Sequence, residues 1–192
     1  SGVNKYTEQA LERYVQMENP QFAALISGEW GTGKTWFVKN FFATHEFSKK
    51  FCYISLFDIK TLKDLDTALI EQINQSRSAK AIRITSKITR FAIEKYVGGD
   101  WECVENLINQ LANKVRNGII ICFDDIERTT LSTTILIGYI SNLLEQFDAN
   151  IILICNINKI KKFDRLCEKI IGIRLSVEKE VASFLRNSIE YI

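Results

Sequence analysis

The chain has 192 residues, 46% of them hydrophobic and 25% charged, with a formal net charge of +2. That balance excludes a disordered or collagen-like chain and supplies no global basic field of the kind that gathers nucleic acid. One proline and nine glycines leave little room for long linkers, no apolar run reaches the ~18 residues a membrane span needs, and a single domain over residues 1–192 is the default at this length.

Ser1-Gly2 reads as a scar of tag removal and is set aside. Residues 4–17 have the pattern of an amphipathic helix ahead of the core, which we place at 22–175. Apolar runs that predict strands lie at 22–27, 51–57, 119–123, 151–155 and 170–175. The third and fourth are continuously apolar, as expected for strands of a parallel sheet covered on both faces. Between them lie predicted helices: one after Gly33, one over 61–75 with Thr61-Leu-Lys-Asp64 as a capping box, and others over 77–96, 100–116, 132–147 and 159–169. Gly118 is placed to close a helix and open the third strand. A last amphipathic segment, 177–192, is expected to begin a lid that continues past the end of this chain. Alternating strands and helices predict an α/β three-layer fold with five mainly parallel strands, the third beside the first.

Five cysteines (52, 103, 122, 155 and 167) form no CxxC pair, which favours neither a disulfide framework nor a zinc site and suits a reducing cytoplasm. Cys122 and Cys155 read as small core residues. His45 is the one histidine, so histidine-metal and Ser-His-Asp chemistry are disfavoured by counting.

The chemistry is carried by Gly28-Glu-Trp-Gly-Thr-Gly-Lys-Thr35, which matches G-x-x-x-x-G-K-[ST] at every fixed position. Glycines let the backbone curl so that N–H groups converge on phosphate oxygens, and the following helix N-terminus adds its positive dipole end. The candidate nucleotide-binding residues are therefore Gly28, Glu29, Trp30, Gly31, Thr32, Gly33, Lys34, Thr35 and Trp36. Lys34 is expected to reach the β- and γ-phosphates and the Thr35 hydroxyl to ligate Mg²⁺. The third strand ends in Asp124-Asp125-Ile-Glu127-Arg128. Asp124 is the candidate to hold the metal through water, Asp125 stands where a water-polarising base would, and Glu127 is a second candidate base. Asn156 closes the fourth strand, either to orient the attacking water or as an ordinary turn residue. Arg128, Arg165 and Lys169 are candidates to neutralise charge on the transferred phosphate, with a surface ion pair as the plainer reading of each. Tyr6, Tyr14 and Phe22 either wall an adenine pocket or pack the core.

GEWGTGKT at 28–35, FDDIER at 123–128, ILICN at 152–156 and CEKIIGIRL at 167–175 together resemble the KAP group of P-loop NTPases, within the additional-strand assembly that includes AAA+ and STAND proteins. The resemblance spans residues 20–190. It implies binding of ATP and ADP with Mg²⁺, slow hydrolysis, and nucleotide-controlled assembly as a homo-oligomer or through a fused effector region. Members of that group are often bacterial, and some are linked to phage exclusion. Carried over by position, Lys34 and Thr35 hold phosphate and metal, Asp124 holds the metal, Asp125 is the base and Asn156 the sensor-like residue. Two departures stand out: residues 76–117 contain no pair of transmembrane helices, which many members carry there, and Ile157 follows Asn156 where an acidic residue is usual.

In place of that membrane insert lies a basic segment, residues 77–95, with six Lys or Arg and a single acidic residue, Glu94. A solvated helix face is its favoured reading; contact with acidic lipid, nucleic acid or a neighbouring subunit is the alternative. The leading function is an ATPase module that controls assembly of a larger anti-phage defence protein. The competing one is a nucleotide-gated switch or scaffold with negligible turnover. A kinase is disfavoured because no Arg-rich lid or second substrate site is visible. The sequence Asn158-Lys-Ile-Lys161 does not complete the guanine-reading N-K-x-D, which favours adenine.

Overall fold

Each apolar run becomes a strand, and the strands pair edge to edge into one sheet. The computed structural model describes residues 2, 4–74, 118–146, 149–156, 158–159 and 168–179. The strands are β1 (Ala23–Gly28), β2 (Lys50–Ser55), β3 (Ile119–Asp124), β4 (Ala149–Asn156) and β5 (Ile171–Ser176). Their order is β2-β3-β4-β1-β5 and every pairing is parallel. The expectation that the third strand lies beside the first is corrected: β4 stands between them. All eight residues of β4 are buried, and a central position gives both of its edges a ladder partner. Lateral order of this kind is a choice among similar parallel pairings that no local motif encodes.

Because side chains alternate along a strand, each strand feeds two cores. Leu25, Ile121, Phe123, Ile151 and Leu153 point to one face, where α3 (Leu62–Asn74) and α4 (Thr133–Gln146) cover them. Ala24, Ile26, Ile120, Cys122, Ile152 and Ile154 point to the other, beneath α1 (Lys5–Gln16) and α2 (Lys34–Thr44). Cover on both faces is the physical reason that the runs are continuously apolar. Cys52, Cys122 and Cys155 are buried, and burial pushes the Cys52 thiol up to about 11. Cys103 and Cys167 lie outside the described residues.

The ends of the helices are tied by specific side chains. At α3, Thr61 Oγ1 accepts the Asp64 N–H at 3.2 Å and Asp64 Oδ2 accepts the Thr61 N–H at 2.9 Å, the reciprocal box expected from the sequence. Those bonds to Thr61 hold the Asp64 carboxyl below the usual range. Tyr14 of α1 is buried, and its hydroxyl accepts the Ile151 N–H at 2.8 Å while lying within 2.9 Å of the Phe22 and Ile151 carbonyls. At the same end, Asn150 Nδ2 donates to the Tyr14 carbonyl at 2.7 Å and Lys49 Nζ donates to Asn150 Oδ1 at 2.7 Å. These contacts lock α1 against the start of β4.

The helices expected over 77–96 and 100–116, most of 159–169, and the segment past Lys179 lie outside the described residues. Among the described residues no helix is long and apolar enough to cross a membrane.

Candidate nucleotide-binding site

The carboxyl ends of the strands bring the candidate residues to one edge of the sheet. β1 ends at Gly28, paired with Asn156 of β4, and the chain then loops over Glu29–Gly33 into α2. Gly31 (φ 73°) and Gly33 (φ 84°) take left-handed conformations that a side chain would resist. Gly28 is required for a different reason: a Cβ there would stand 2.7 Å from the Val177 carbonyl oxygen and 2.9 Å from Thr32 Oγ1. Gly33 takes the cap position of α2 with no side-chain cap, so the first N–H groups of that helix are left for another acceptor.

Lys34 folds back over this loop. Its Nζ donates to the Gly28 carbonyl at 3.0 Å and the Glu29 carbonyl at 2.8 Å. Thr32 Oγ1 also donates to the Glu29 carbonyl, at 3.0 Å. The ammonium is thus tethered at the loop by neutral acceptors, which an anionic oxygen would outcompete. Trp30 and Trp36 flank the loop with most of their surface in solvent.

Across from the loop, Thr35 Oγ1 donates to Asp124 Oδ2 at 2.5 Å. Asp124 is 4% exposed, and a buried carboxylate needs compensating donors. It has three: Thr35, the Tyr53 hydroxyl at 2.7 Å, also on Oδ2, and the Asp125 N–H at 2.7 Å on Oδ1. Burial, followed by the bond to Asp124, pushes the Tyr53 phenol upward, so it remains a neutral donor. A hydroxyl and a carboxylate in contact form the hard oxygen set that Mg²⁺ takes from a protein when phosphate and water complete its shell. The residues present therefore fit that ion.

The remaining candidates are distributed around Asp124. Asp125 adopts φ 57°, which aspartate tolerates better than most residues. Its Oδ2 accepts from the Ser55 hydroxyl at 2.8 Å and its Oδ1 lies 3.5 Å from Arg128 Nη1. The Arg128 guanidinium also lies 3.9 Å from the Phe57 ring centroid and 5.8 Å from that of Trp30. Glu127, in the 3₁₀ turn Ile126–Arg128, has a buried Oε2 with no hydrogen-bond partner among the described residues. Asn156 is buried beside Gly28, and its Oδ1 accepts the Asn158 N–H at 2.9 Å in a local turn. Lys169 is exposed, and Arg165 lies outside the described residues.

Beside the loop opens a cleft of about 710 Å³. It is lined by Asn4 and Glu8 of the α1 end, Gly31–Gly33, Trp36, Phe37 and Asn40 of α2, and Val177–Lys179 beyond β5. The Asn4 side chain pairs with the Glu178 backbone, donating to its carbonyl at 3.1 Å and accepting its N–H at 3.0 Å, and Thr7 Oγ1 donates to the Ser176 carbonyl at 2.7 Å. The aromatic residues suggested as cleft walls lie elsewhere. Tyr14 is spent on the core, Phe22 packs against its ring, and Tyr6 is 79% exposed.

The model of the KAP family P-loop domain matches residues 4–104, just over half of the chain. The chain belongs to the KAP family.

No curated protein matches this KAP domain in sequence. Among solved structures it is similar to the Aeropyrum pernix ORC1 protein in complex with DNA, with a TM-score of 0.57 and 18% identity, covering 97% of this chain and 47% of that one. It is also similar to Drosophila ORC bound to AT-rich DNA and Cdc6, with a TM-score of 0.51 and 13% identity, covering 94% of this chain and 59% of that one. The KAP domain thus spans about half the length of the solved chains it matches, and at these identities the likeness concerns the fold.

Two residues in contact with the site carry no motif. Tyr53 and Ser55 are the polar residues near the end of β2, and pairing in register sets them opposite Cys122 and Asp124. Two polar residues spaced by two, alternating with the apolar Cys52 and Ile54, were the available signal.

Proposed function

We propose that this KAP domain binds ATP with Mg²⁺ and hydrolyses it slowly, its nucleotide state controlling assembly of a larger protein. The observation that carries the reading is the 2.5 Å contact between Thr35 and Asp124, which joins the phosphate loop to the acidic strand end. Thr35 and Asp124 would hold the metal, which when bound offsets charge on the phosphate oxygens. Amides of the loop and the start of α2 bind the phosphate tail, and Lys34 leaves the Gly28 and Glu29 carbonyls for a phosphate oxygen. Asp125, or Glu127 beside it, orients the attacking water, Asn156 lies beside Gly28 at the strand ends, and Arg128, 3.5 Å from Asp125, supplies a cation. The nucleoside occupies the cleft beside Gly31–Gly33, against Trp36 and Phe37. A cytoplasmic setting is part of this reading, as the compartment where an ATP-dependent domain meets its substrate. A bacterial anti-phage role and homo-oligomerisation rest on the family resemblance alone. Contact of residues 77–95 with nucleic acid or membrane is not favoured, and that segment lies outside the described residues.

A nucleotide-gated switch without turnover is the second reading, favoured by one observation. Both carboxylate oxygens of Asp125 are engaged, by Ser55 and by Arg128. Calorimetry with Mg-ATP and phosphate release, compared among wild type, Lys34→Ala and Asp125→Asn, separate the two. We expect Lys34→Ala to weaken binding at least tenfold and Asp125→Asn to bind normally but release no phosphate. Stoichiometric binding without turnover in wild type selects the switch. Turnover surviving in Lys34→Ala means the site is misassigned.

A further inference from the structure

Asp124 is held from a strand that carries no part of the P-loop or of the acidic motif. Tyr53 of β2 donates its hydroxyl to Asp124 Oδ2 at 2.7 Å, the same oxygen that accepts from Thr35. Its ring is fixed from above and its backbone from the side. Lys39 Nζ sits 3.9 Å from the ring centroid, and Gln72 Oε1 accepts the Tyr53 N–H at 3.4 Å. Lys39 lies one turn beyond Thr35 on α2, so the helix that carries the hydroxyl for the cation also covers the ring.

A carboxylate offers about four acceptor positions. Two on Oδ2 are taken by Thr35 and Tyr53, and one on Oδ1 by the Asp125 N–H. That leaves a single position, on Oδ1, for a water of the cation's shell. Without the Tyr53 hydroxyl the carboxylate gains a second open position and the freedom to rotate about its terminal bond.

We propose that Tyr53 is a positioning residue for the nucleotide-bound Mg²⁺, fixing the Asp124 carboxylate so that it meets the cation's hydration shell through one oxygen. The proposal rests on the Mg-nucleotide reading of the site. It gives β2 an indirect part in metal binding, through Asp124, and links the position of that strand to Mg²⁺-dependent nucleotide affinity.

The test is a titration of Mg²⁺ into the protein with a fluorescent ATP analogue, alongside binding of the same analogue in EDTA. In Tyr53→Phe, which keeps the ring under Lys39, EDTA binding should match wild type, while the half-saturating Mg²⁺ concentration rises roughly tenfold, as for a lost bond to a charged acceptor. Thermal midpoints without ligand report whether folding is intact, and Tyr53→Leu reports the effect of losing the ring as well. An unchanged Mg²⁺ midpoint in Tyr53→Phe overturns the proposal while leaving the nucleotide site standing. The proposal fails equally if only Tyr53→Leu moves the midpoint, since packing would then account for the change. Absence of any Mg²⁺-dependent binding in wild type overturns the nucleotide reading itself.

Discussion

The Ser55 hydroxyl donates to Asp125 Oδ2 at 2.8 Å, across the β2–β3 pair, and thereby occupies one oxygen of the residue we assign as the base. That donor stabilises the charged carboxylate, and this stabilisation becomes part of the cost when the carboxylate takes a proton from water. Removing the donor lowers the cost by about 1 kcal/mol, so Ser55→Ala should raise steady-state phosphate release roughly fivefold at unchanged nucleotide affinity. A fall in turnover instead would show that Ser55 positions the base for reaction.

Gly28 and Gly138 make a matched pair of opposite sign. A methyl at Gly28 meets a backbone oxygen at 2.7 Å, and nothing flexible can yield there except Thr32. Gly28→Ala should cost about 1–3 kcal/mol and weaken ATP binding at least tenfold. Gly138 lies in α4 with nothing within 4 Å of an added Cβ. Gly138→Ala should stabilise by about 0.5–1 kcal/mol without touching binding. Chemical denaturation and calorimetry on both variants decide this, and equal effects would contradict the geometry.

Tyr14→Phe removes a hydroxyl that satisfies the buried N–H of Ile151. The expected loss is about 1–3 kcal/mol, which for a chain of this length lowers the thermal midpoint by roughly 2–10 °C. A midpoint within about one degree of wild type would mean that water replaces the phenol.

Asp66 supplies a pH dependence whose sign follows from its surroundings. Burial raises its carboxyl above the ordinary value, against a smaller opposing effect of the Tyr139 hydroxyl that donates to it at 2.9 Å. The folded state therefore holds that proton more tightly than the unfolded chain. The associated stability is present below the ordinary aspartate value and is lost as pH rises through the raised one. Asp66→Asn should accordingly gain midpoint temperature relative to wild type as pH increases across that window, then run parallel to it. A gap that widens toward acid would reverse the assignment.

Features with a local cause are legible in the residues alone. GEWGTGKT dictates a loop with left-handed glycines before a helix, Thr61 and Asp64 dictate a box, and apolar runs bounded by polar ends dictate strands of a covered sheet. Other features emerge only once the chain is folded: β4 separates β1 from β3, Tyr53 and Ser55 stand against Asp124 and Asp125, and Tyr14 and Phe22 serve the core while Asn4 and Glu8 border the cleft. The reason is range. A turn or a cap is settled by residues a few positions apart, whereas lateral strand order and the neighbours of a carboxylate depend on pairings between segments tens of residues distant, for which many apolar partners are locally equivalent.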